Sequence, residues 1–425
     1  MPEHFKKFRH VHLVGSGGVG MFAIGGILLE RNVCVSGSDL EKNSKSEFLR
    51  SHGAEIFYGH AAENLPANTD ALIYTSAAAA DNPELLEAAK RGIPCFRRGQ
   101  FLAEYILPSY QRTVAVAGSH GKSTVSAMIT HALRKQQSAV GCLIGGSLQD
   151  GSLPFGAGDG SIFVTEADES DHSHSLLHPT VAVITNYDAD HAWSREQEEL
   201  QFEKFQLFCR NSQVIIHYDI PSLNVISEPF ADKRLLIAVP DGRADIPFCG
   251  FMKFNAELAM QAVAYLGYDG AMTNLADFQG VDRRMKIHGR DENHILLEDY
   301  AHHPAEVAAS LDYMRELYPE YELHIIFQPH RYARLKKYFS DFVRVIEAKA
   351  DRAYIVPVFA AWNESGTPGA EDLAAELANG EFLAFDDEVK LHSVWDGASN
   401  RKVLTAVIGA GDVEKLIPLL KKDLS

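Results

Sequence analysis

The sequence predicts an α/β fold of three domains: an N-terminal Rossmann-like domain, a central parallel sheet of the P-loop ATPase type and a C-terminal Rossmann-like domain. Short apolar strands alternate with helical segments along the whole chain of 425 residues, as in parallel α/β proteins. A glycine-rich loop follows a strand near residue 15 and again near residue 118. We place the three domains at residues 1–108, 109–283 and 284–425.

The composition argues against several classes of function. A formal net charge of −17 argues against nucleic acid or an anionic membrane surface as the partner. The five cysteines lie far apart without Cys-x-x-Cys spacing, which argues against a zinc ribbon and a disulfide framework. The first residues contain no apolar segment of signal-peptide length, and no run of about 18 apolar residues occurs. We therefore expect a cytoplasmic protein without membrane contact.

The first candidate binding element is the loop Gly15-Ser-Gly-Gly-Val-Gly20, between a strand at Val11–Val14 and an apolar helix at Met21–Leu29. A second strand leads to Asp39, nineteen residues after the last glycine of the loop. This spacing fits a dinucleotide-binding fingerprint, in which an acidic residue bonds to the ribose. Taken alone, the loop leaves three alternatives open: a nicotinamide or flavin cofactor, another nucleotide, or a structural turn.

The second element is the turn Gly118-Ser-His-Gly-Lys-Ser-Thr124, which follows a strand at Thr113–Ala117 and precedes a helix at Val125–Lys135. Glycines in such a turn let backbone N–H groups approach phosphate oxygens, and a helix N-terminus favours an anion. Lys122 can reach the outer phosphates of a nucleotide, and the Ser123 hydroxyl can hold Mg²⁺. Only two residues separate the glycines, where the usual P-loop has four, so a chance Gly-Lys-Ser turn is the alternative.

Acidic residues follow the next two predicted strands. Glu166-Ala-Asp-Glu-Ser-Asp171 follows the strand Ser161–Thr165, and Asn186-Tyr-Asp-Ala-Asp-His191 follows the strand Val181–Thr185. In a parallel sheet both strand ends open on the same edge as the phosphate turn. Carboxylates and an imidazole gathered there could hold Mg²⁺ beside a triphosphate. Without the phosphate turn, solvated acidic residues would be the better interpretation.

The last third of the chain alternates strands and helices again and carries polar stretches where strands end. These stretches are Asp299–Pro304, Phe327–Arg334 and Gly409–Asp412. They predict a further ligand site at the carboxyl ends of a second doubly wound sheet, with the capping of strand ends as the alternative.

These stretches resemble a known family. In order, the chain contains H-L-V-G-S-G-G-V-G-M, T-S-A-A-A-A-D-N-P-E, G-S-H-G-K-S-T, E-A-D-E-S-D and F-Q-P-H-R-Y-A-R. Together they are similar to the Mur ligase family, and the last is similar to its alanine-adding members. The resemblance implies an ATP-dependent ligase that joins L-alanine to the lactyl carboxylate of UDP-N-acetylmuramate through an acyl phosphate, in peptidoglycan precursor synthesis. It implies ATP and Mg²⁺ as cofactors, and we expect a monomer or weak homodimer.

The resemblance also implies roles for individual residues. The diphosphate of the UDP-sugar would contact Gly17, Gly18, Val19 and Gly20, and around the uridine or sugar would lie Asp39, His60 and Ser76. The ATP site would comprise Gly118, Ser119, His120, Gly121, Lys122, Ser123, Thr124, Asn255, Arg284 and Asp299. The metal ligands would be Ser123, Glu166 and His191. The catalytic residues would be Lys122, Arg284, His302 and His330, and the amino-acid carboxylate and acyl intermediate would be held by His330, Arg331 and Arg334.

Departures from the family pattern keep other functions open. Trp193 stands where the family often has an acidic residue, and the adenine-side helix keeps only Asn255 and the closing alanine of its motif. The segment 219–250 is shorter than its counterpart, which fits a paralogous ligase for another UDP-muramoyl acceptor or amino acid, including one for peptide recycling. A UDP-sugar-binding protein that has lost ATP turnover is a second alternative, and an NAD-dependent dehydrogenase is a third. For a ligase we expect hinge motion near residues 108 and 285.

Overall fold

The computed structural model describes residues 7–136, 139–188, 194–230, 232–238, 248–268, 273–360, 365–395 and 401–424. Three sheets of mostly parallel strands lie within them, which confirms the predicted α/β class, with one sheet in each predicted third of the chain. The chain forms two compact units, residues 1–247 with 254–279 (unit 1) and residues 248–253 with 280–425 (unit 2). No helix within the described ranges is long and apolar enough to cross a membrane.

The first sheet, in unit 1, has five parallel strands in the order β3-β2-β1-β4-β5. Its elements are β1 (His10–Val14), α1 (Val19–Glu30), β2 (Cys34–Asp39), α2 (Ser44–Ser51), β3 (Glu55–Tyr58), β4 (Ala71–Tyr74), α3 (Pro83–Lys90), β5 (Cys95–Arg97) and α4 (Arg98–Phe101). Asn43 caps α2 and Asn82 caps α3 through side-chain hydrogen bonds to backbone N–H groups. The direction of strand succession reverses between β1 and β4, and a ligand crevice is expected at the carboxyl ends of the strands there.

The second sheet, also in unit 1, has seven strands in the order β12-β11-β10-β6-β9-β7-β8, and only β8 runs antiparallel to its neighbour. Its elements are β6 (Arg112–Ala117), α5 (Lys122–Gln136), β7 (Gly141–Leu143), β8 (Phe155–Gly156), β9 (Ile162–Glu166), β10 (Val181–Ile184), α6 (Arg195–Asn211), β11 (Val214–Tyr218), α7 (Pro221–Ser227), β12 (Arg234–Ala238) and α8 (Gly250–Tyr265). Strand β6 lies between β10 and β9, so the turn that follows it is flanked by the ends of both.

The third sheet, in unit 2, has six strands in the order β13-β14-β18-β15-β16-β17, parallel except for the β13–β14 pair. Its elements are β13 (Lys286–Arg290), β14 (His294–Asp299), α9 (Pro304–Leu317), β15 (Glu322–Phe327), α10 (Tyr332–Lys337), α11 (Phe339–Lys349), β16 (Arg352–Ile355), α12 (Ala370–Glu376), β17 (Gly380–Phe382), α13 (Glu388–His392), β18 (Val403–Ile408) and α14 (Ile417–Leu420). The strand β18 is buried along its whole length, as expected at the centre of a parallel sheet covered on both faces.

The first two sheets share one hydrophobic core within unit 1. Helix α1 has no side chain at Gly26, where the ring of Phe155 lies 2.1 Å from the position that a Cβ would occupy. Beside this contact, Glu30 accepts a hydrogen bond from the Ala157 N–H at 2.6 Å, and Arg31 donates to the Ala157 carbonyl at 2.6 Å. This packing ties the β8 hairpin to helix α1, and the hinge expected near residue 108 stays a prediction.

Candidate active site

The turn after β6 has the backbone geometry of a phosphate cradle. Gly118 and Gly121 have φ values of +137° and +81°, in the left-handed region that favours glycine. A Cβ at Gly118 would lie 2.1 Å from the Thr185 hydroxyl, so there is no room for a side chain. Helix α5 begins inside this stretch, at Lys122, three residues earlier than predicted, and it has no acidic residue in its first turn. The backbone N–H groups and the helix dipole therefore face the same anion-favouring space.

The segment that follows β10 holds this turn in place. The Thr185 hydroxyl donates to the His120 carbonyl at 2.6 Å, and the Asn186 side chain both donates to that carbonyl at 3.0 Å and accepts from the His120 N–H at 2.8 Å. One residue earlier, the Ser119 hydroxyl lies 2.9 Å from the Asp188 N–H, which donates to it. The turn is thus fixed by contacts to a neighbouring strand end.

Lys122 is folded back over its own turn. Its amine donates to the carbonyl oxygens of Gly118 and Ser119 at 2.8 and 3.3 Å and lies 3.0 and 2.9 Å from the two carboxylate oxygens of Glu169. Burial by itself would lower the pKa of the amine, but Glu169 and Glu166 raise it above its ordinary value. The lysine therefore carries a full positive charge at the mouth of the phosphate turn.

Two of the predicted metal ligands meet beside the turn. The Ser123 hydroxyl donates to Glu166 Oε2 at 2.7 Å, and the Gly145 N–H donates to the same oxygen at 2.9 Å. A hydroxyl and a carboxylate are the hard oxygen ligands that Mg²⁺ prefers, usually completed by water and substrate phosphate. His191 lies outside the described residues, and within the described ranges no group of three or more His, Cys, Asp or Glu side chains could hold a metal. Ser123 and Glu166 therefore fit as part of a magnesium site.

Asn255, on α8, lies against the second glycine of the turn. A Cβ at Gly121 would lie 2.9 Å from the Asn255 Oδ1 atom. The side chain is 7% exposed, and its Nδ2 atom is buried without a hydrogen-bond partner among the described residues. A buried amide donor without a partner is costly in a folded protein, which suits a group that a ligand satisfies. The one surviving polar residue of the adenine-side motif is thus at the phosphate turn.

The first glycine loop is closed by polar side chains on one side and open at the start of α1. The Gly17 N–H donates to Asp39 Oδ2 at 2.7 Å, and a Cβ at Gly17 would lie 2.2 Å from the Asn43 amide nitrogen. Gly18 is the N-cap of α1 and provides no side-chain cap, and the first turn contains no acidic residue. Val19 is exposed at 37%. The first N–H groups of α1 are therefore available to an anion, as in a diphosphate-binding loop.

Arg98 lies over the first turn of α1. The side-chain atoms Cδ, Nη1 and Nε are 2.7, 3.0 and 3.2 Å from the position of a Cβ on Gly20, so a larger residue at position 20 would collide with the arginine. Its Nη2 atom donates to the carboxylates of Asp168 and Asp171 at 3.2 and 3.0 Å. One arginine thus connects the first glycine loop to the acidic stretch that follows β9.

His60 and Ser76, the other residues predicted near the uridine or sugar, follow β3 and β4. The Nδ1 atom of His60 lies 2.9 Å from the Ser38 hydroxyl, which donates to Glu84 at 2.6 Å. Ser76 is exposed, two residues after the end of β4. Both residues are at the same sheet edge as the first glycine loop, because they follow carboxyl ends of parallel strands.

A cluster of basic side chains lies at the carboxyl end of β15 in unit 2. The rings of His330 and His302 have centroids 5.5 Å apart, and His330 stacks on Phe359. Burial, together with His302, Arg334 and Arg331, lowers the pKa of His330 to about 3, so its ring is neutral at physiological pH. Arg334 Nη1 lies 3.4 Å from His330 Nδ1. A guanidinium can only donate, so Nδ1 accepts and the ring proton is on Nε2.

The backbone around this cluster is strained at Arg331, whose φ of +68° is uncommon for a residue with a side chain. Its N–H donates to the Phe359 carbonyl at 3.0 Å. Two arginines and an imidazole N–H form a set of donors that suits a carboxylate.

The linker residues 283–285 are attached to the third sheet. Arg283 donates to Glu298 at 2.9 Å and to the carbonyl oxygens of Gly409 and Gly411 at 2.9 and 3.0 Å. The next residue, Arg284, lies 3.6 Å from Glu306, and the Glu306 carboxylate also accepts from the His302 N–H at 3.0 Å. The two predicted catalytic residues Arg284 and His302 are therefore connected through one carboxylate.

Asp299, predicted to contact the ribose of ATP, is turned inward. It is 2% exposed, and it accepts hydrogen bonds from the N–H groups of Met285 and Ala301 and from the Ser310 hydroxyl at 3.0, 2.9 and 3.0 Å. Burial raises the pKa of its carboxyl above the ordinary value, although Arg284 opposes this. In this structure Asp299 holds the linker to the third sheet.

Comparison with known proteins covers nearly the whole chain. Three sequence models match in order: "Mur ligase family, catalytic domain" over residues 10–110, "Mur ligase middle domain" over 116–236 and "Mur ligase, glutamate ligase domain" over 283–413. The chain belongs to the Mur ligase family. Among curated relatives, the UDP-N-acetylmuramate–L-alanine ligase of Aquifex aeolicus is 32% identical, with 98% of this chain and 97% of that protein covered. The enzyme of the same name from Trichlorobacter lovleyi is 35% identical, with 96% and 97% covered.

Solved structures of Mur ligases have the same fold. The UDP-N-acetylmuramate–alanine ligase of Thermotoga maritima superimposes with a TM-score of 0.77 at 25% identity, with 97% of this chain and 98% of that chain covered. A murein peptide ligase of Psychrobacter arcticus, at 19% identity, shares the fold with a TM-score of 0.67 and 98% of each chain covered. The comparisons confirm the predicted reaction class, an ATP-dependent ligation.

The structure of this Mur ligase brings the predicted residues together in two groups. In unit 1, Lys122, Ser123 and Glu166 gather at the phosphate turn, with Asn255 behind it. In unit 2, the basic cluster gathers His302, His330, Arg331 and Arg334 at one sheet edge. The Asp299 carboxylate accepts hydrogen bonds from backbone N–H groups of its own unit, unit 2.

Sequence reasoning did not assign a role to four polar residues that the structure connects to the site: Thr185, Arg98, Glu84 and Glu306. Glu84 and Glu306 each stand in the first turn of a helix with Pro at its first position, where an acidic residue usually serves the helix dipole. The signal that separates them from ordinary cap residues is burial, at 0% and 8% exposure, and burial of a polar residue in a first helical turn cannot be read from sequence.

Proposed function

We propose that the protein joins L-alanine to the lactyl carboxylate of UDP-N-acetylmuramate, with ATP as the phosphoryl donor, in the synthesis of the peptidoglycan precursor. The observation that carries this proposal is the likeness to UDP-N-acetylmuramate–L-alanine ligases, 35% identical over 96% of the chain in one case. The phosphate turn with its charged lysine supports the use of ATP. The basic cluster in unit 2 supports the binding of an amino-acid carboxylate.

The first step is transfer of the γ-phosphoryl group. A carboxylate oxygen of the lactyl group attacks the γ-phosphorus, the bond from phosphorus to the β–γ bridging oxygen breaks, and ADP leaves, so that an acyl phosphate forms. Lys122 stabilises the negative charge on the phosphoryl oxygens, since its amine is already charged and held at the turn. The backbone N–H groups of the turn orient the phosphates, apart from that of His120, which donates to the Asn186 side chain.

Mg²⁺ would be held by Ser123 and Glu166, with His191 as the third protein ligand, and it would neutralise charge on the phosphates. The hydrogen bond between Ser123 and Glu166 keeps these two oxygen ligands adjacent before the metal binds. Asn255 supplies a buried amide donor at the turn, which supports its assignment to the nucleotide site.

The second step forms the amide. The amine nitrogen of L-alanine attacks the carbonyl carbon of the acyl phosphate, inorganic phosphate leaves with the bonding electrons, and the nitrogen loses its proton to solvent or base. Arg331, Arg334 and the Nε2–H of His330 bind the alanine carboxylate. Because His330 is neutral, it donates without adding a charge that would repel the amino group. Arg284 and His302 belong to the same group through Glu306.

We propose the domain boundaries 1–108 for UDP-sugar binding, 109–283 for ATP binding and 284–425 for amino-acid binding, supported by the three sheets and the three matched family segments. The diphosphate would lie on Gly17, Gly18, Val19 and Gly20. We further propose a cytoplasmic location, supported by the use of ATP and a UDP-sugar. We also propose a monomer or weak homodimer, and light scattering after size exclusion measures the oligomeric state.

The test is a ligation assay with purified protein, UDP-N-acetylmuramate, ATP, Mg²⁺ and each amino acid in turn. We expect phosphate release that depends on L-alanine and on the UDP-sugar, with the alanyl product identified by mass spectrometry. Preference for a tripeptide or for another amino acid would replace this function by that of a paralogous ligase. Binding of the UDP-sugar without ATP turnover would make the protein a binding protein.

A further inference from the structure

A buried carboxylate, that of Glu84, accepts hydrogen bonds from several polar groups near the carboxyl ends of β2 and β3. Glu84, in the first turn of α3, is 0% exposed. Its Oε1 atom accepts from Asn64 Nδ2 at 2.8 Å and from the Ala61 N–H at 3.3 Å, and Oε2 accepts from the Ser38 hydroxyl at 2.6 Å. Burial would raise the pKa of this carboxyl, but hydrogen bonds from His12, Ser38 and Asn64 lower it to about 2. Glu84 is therefore ionised and can only accept hydrogen bonds.

This arrangement fixes the proton on the ring of His60. Ser38 has one hydroxyl proton, and it donates that proton to Glu84 because an ionised carboxylate has none to give. The Ser38 oxygen, 2.9 Å from His60 Nδ1, can then only accept from the ring. His60 Nδ1 consequently carries the proton, and in the neutral ring Nε2 is left with a lone pair. Nε2 makes no hydrogen bond to any residue in the described part of the chain, and the side chain is 20% exposed.

The position of His60 in the sheet indicates which part of a bound nucleotide lies next to the lone pair on Nε2. The glycine loop follows β1, Asp39 ends β2 and His60 follows the edge strand β3, so the three lie in sequence along the carboxyl edge of the sheet. A nucleotide whose diphosphate lies on the glycine loop extends along this edge, with ribose and then base toward β3. The base therefore comes next to His60.

We infer that Glu84 and Ser38 are positioning residues that hold His60 as a hydrogen-bond acceptor for the N3–H of a uracil base, and so select uridine over cytidine nucleotides. This inference rests on the proposed function, since it takes a UDP-sugar as the ligand of the first sheet. Uracil has a donor at N3, whereas cytosine has a lone pair there, which would face the lone pair of Nε2. A site that leaves such a polar group unmatched discriminates by about ten- to a hundredfold.

The experiment measures dissociation constants of UDP, CDP and 3-methyl-UDP by calorimetry, with wild-type protein and the variants Ser38→Ala, Glu84→Gln and His60→Ala. Wild type should bind UDP about ten- to a hundredfold more tightly than the other two, and each variant should bring the UDP-to-CDP ratio to within about threefold of one. Glu87→Gln is the matched control, because Glu87 is on the same helix and its carboxylate pairs with Lys90, and it should keep the wild-type ratio. Unchanged ATP affinity and circular dichroism identify variants that are folded.

A second measurement does not require a ligand. A long-range ¹H–¹⁵N spectrum, with the His60 signals assigned by their loss in His60→Ala, should show the ring proton on Nδ1 in wild type, and Ser38→Ala should shift the balance toward Nε2. A wild-type proton on Nε2, or equal affinity for UDP and CDP, would overturn the inference. If alanine ligation proceeds while UDP and CDP bind equally, only the inference fails. If no uridine nucleotide binds at all, the proposed function fails with it.

Discussion

The amine of Lys122 lies 3.0 and 2.9 Å from the two carboxylate oxygens of Glu169, which is 1% exposed. The lysine thus has an anionic partner in the protein before any nucleotide is bound. A phosphate that enters the turn replaces or shares this partner, and the amine does not have to leave water to meet it. For the role proposed for Lys122 in phosphoryl transfer, the positive charge is present in advance, which is the condition for strong electrostatic catalysis.

Lys122→Met should remove the positive charge at the phosphate turn and so slow phosphoryl transfer. The substitution keeps the length of the side chain but removes the charge, and we expect kcat for alanine-dependent phosphate release to fall by at least about a hundredfold. The affinity for UDP should not change, because the first glycine loop does not contact Lys122. Lys135→Met is the control: Lys135 is on the same helix, is 43% exposed and pairs with Asp277. Retention of more than half of the activity in Lys122→Met would contradict the assigned role.

Gly118→Ala should disrupt the turn itself. The new methyl group would lie 2.1 Å from the Thr185 hydroxyl, in a residue with a φ of +137°. Gly151→Ala also places a side chain at a positive φ, +76°, but has open space at the Cβ position. Collision with a neighbour is confined to Gly118→Ala, so the free energy of unfolding should fall by roughly 1–3 kcal/mol more in that variant. Chemical denaturation measures the difference, and equal losses would contradict the collision.

Some of these positions could be predicted from the sequence and others could not, for a physical reason. Lys122 and Ser123 could be predicted because the phosphate turn is local: strand, glycines and helix are adjacent in the chain. Thr185 could be seen only as the last residue of a predicted strand, since its contact to the turn joins residues that are 65 apart in the chain. For Asp299 the sequence pattern is the same whether a polar residue at a strand end faces a ligand or bonds to its own backbone, and its contact with the ribose of ATP stays a prediction.

His174 should make the stability of unit 1 sensitive to acid. It is fully buried, its Nδ1 lies 3.3 Å from the Asp168 carbonyl, and its ring packs on Phe205. Burial lowers the pKa of this histidine to about 4, although Glu169 opposes the shift. Between pH 6.5, the ordinary value, and pH 4, the unfolded chain binds a proton that the folded chain does not. Stability from this group is therefore complete above pH 6.5 and is lost as the pH falls, by up to about 1.4 kcal/mol per pH unit.

The measurement for His174 is a series of denaturant titrations at pH 8, 6 and 5 with wild type and His174→Gln. The glutamine does not titrate, so the variant should lose less stability than wild type between pH 6 and pH 5. Parallel pH profiles for the two proteins would show that His174 already titrates normally in the fold.

Glu166→Gln should lower the affinity of the enzyme for Mg²⁺. The carboxylate loses its charge but keeps one oxygen that can accept from Ser123, so the turn should stay intact. We expect chelation to stop phosphate release in wild type and added Mg²⁺ to restore it, with the Mg²⁺ concentration for half-maximal rate raised about tenfold or more in the variant. Glu199→Gln, a change at an exposed residue of α6, should leave the requirement unchanged. The same magnesium requirement in Glu166→Gln and wild type would remove Glu166 from the metal site.

Arg334→Lys should weaken the binding of L-alanine and leave the binding of ATP unchanged. Arg334 is 4% exposed, and its guanidinium both donates to His330 Nδ1 and belongs to the donor set proposed for the alanine carboxylate. A lysine keeps the charge but not the planar fork, so KM for L-alanine should rise by about tenfold or more while KM for ATP stays within about twofold. Arg344→Lys, at an arginine of α11 that is 75% exposed, is the matched control. Because Arg334 sets the ring tautomer of His330, His330→Asn should also raise KM for L-alanine. The fold increase in the double variant should be smaller than the product of the increases in the two single variants. A double variant whose increase equals that product would show that the two residues do not act together on the substrate.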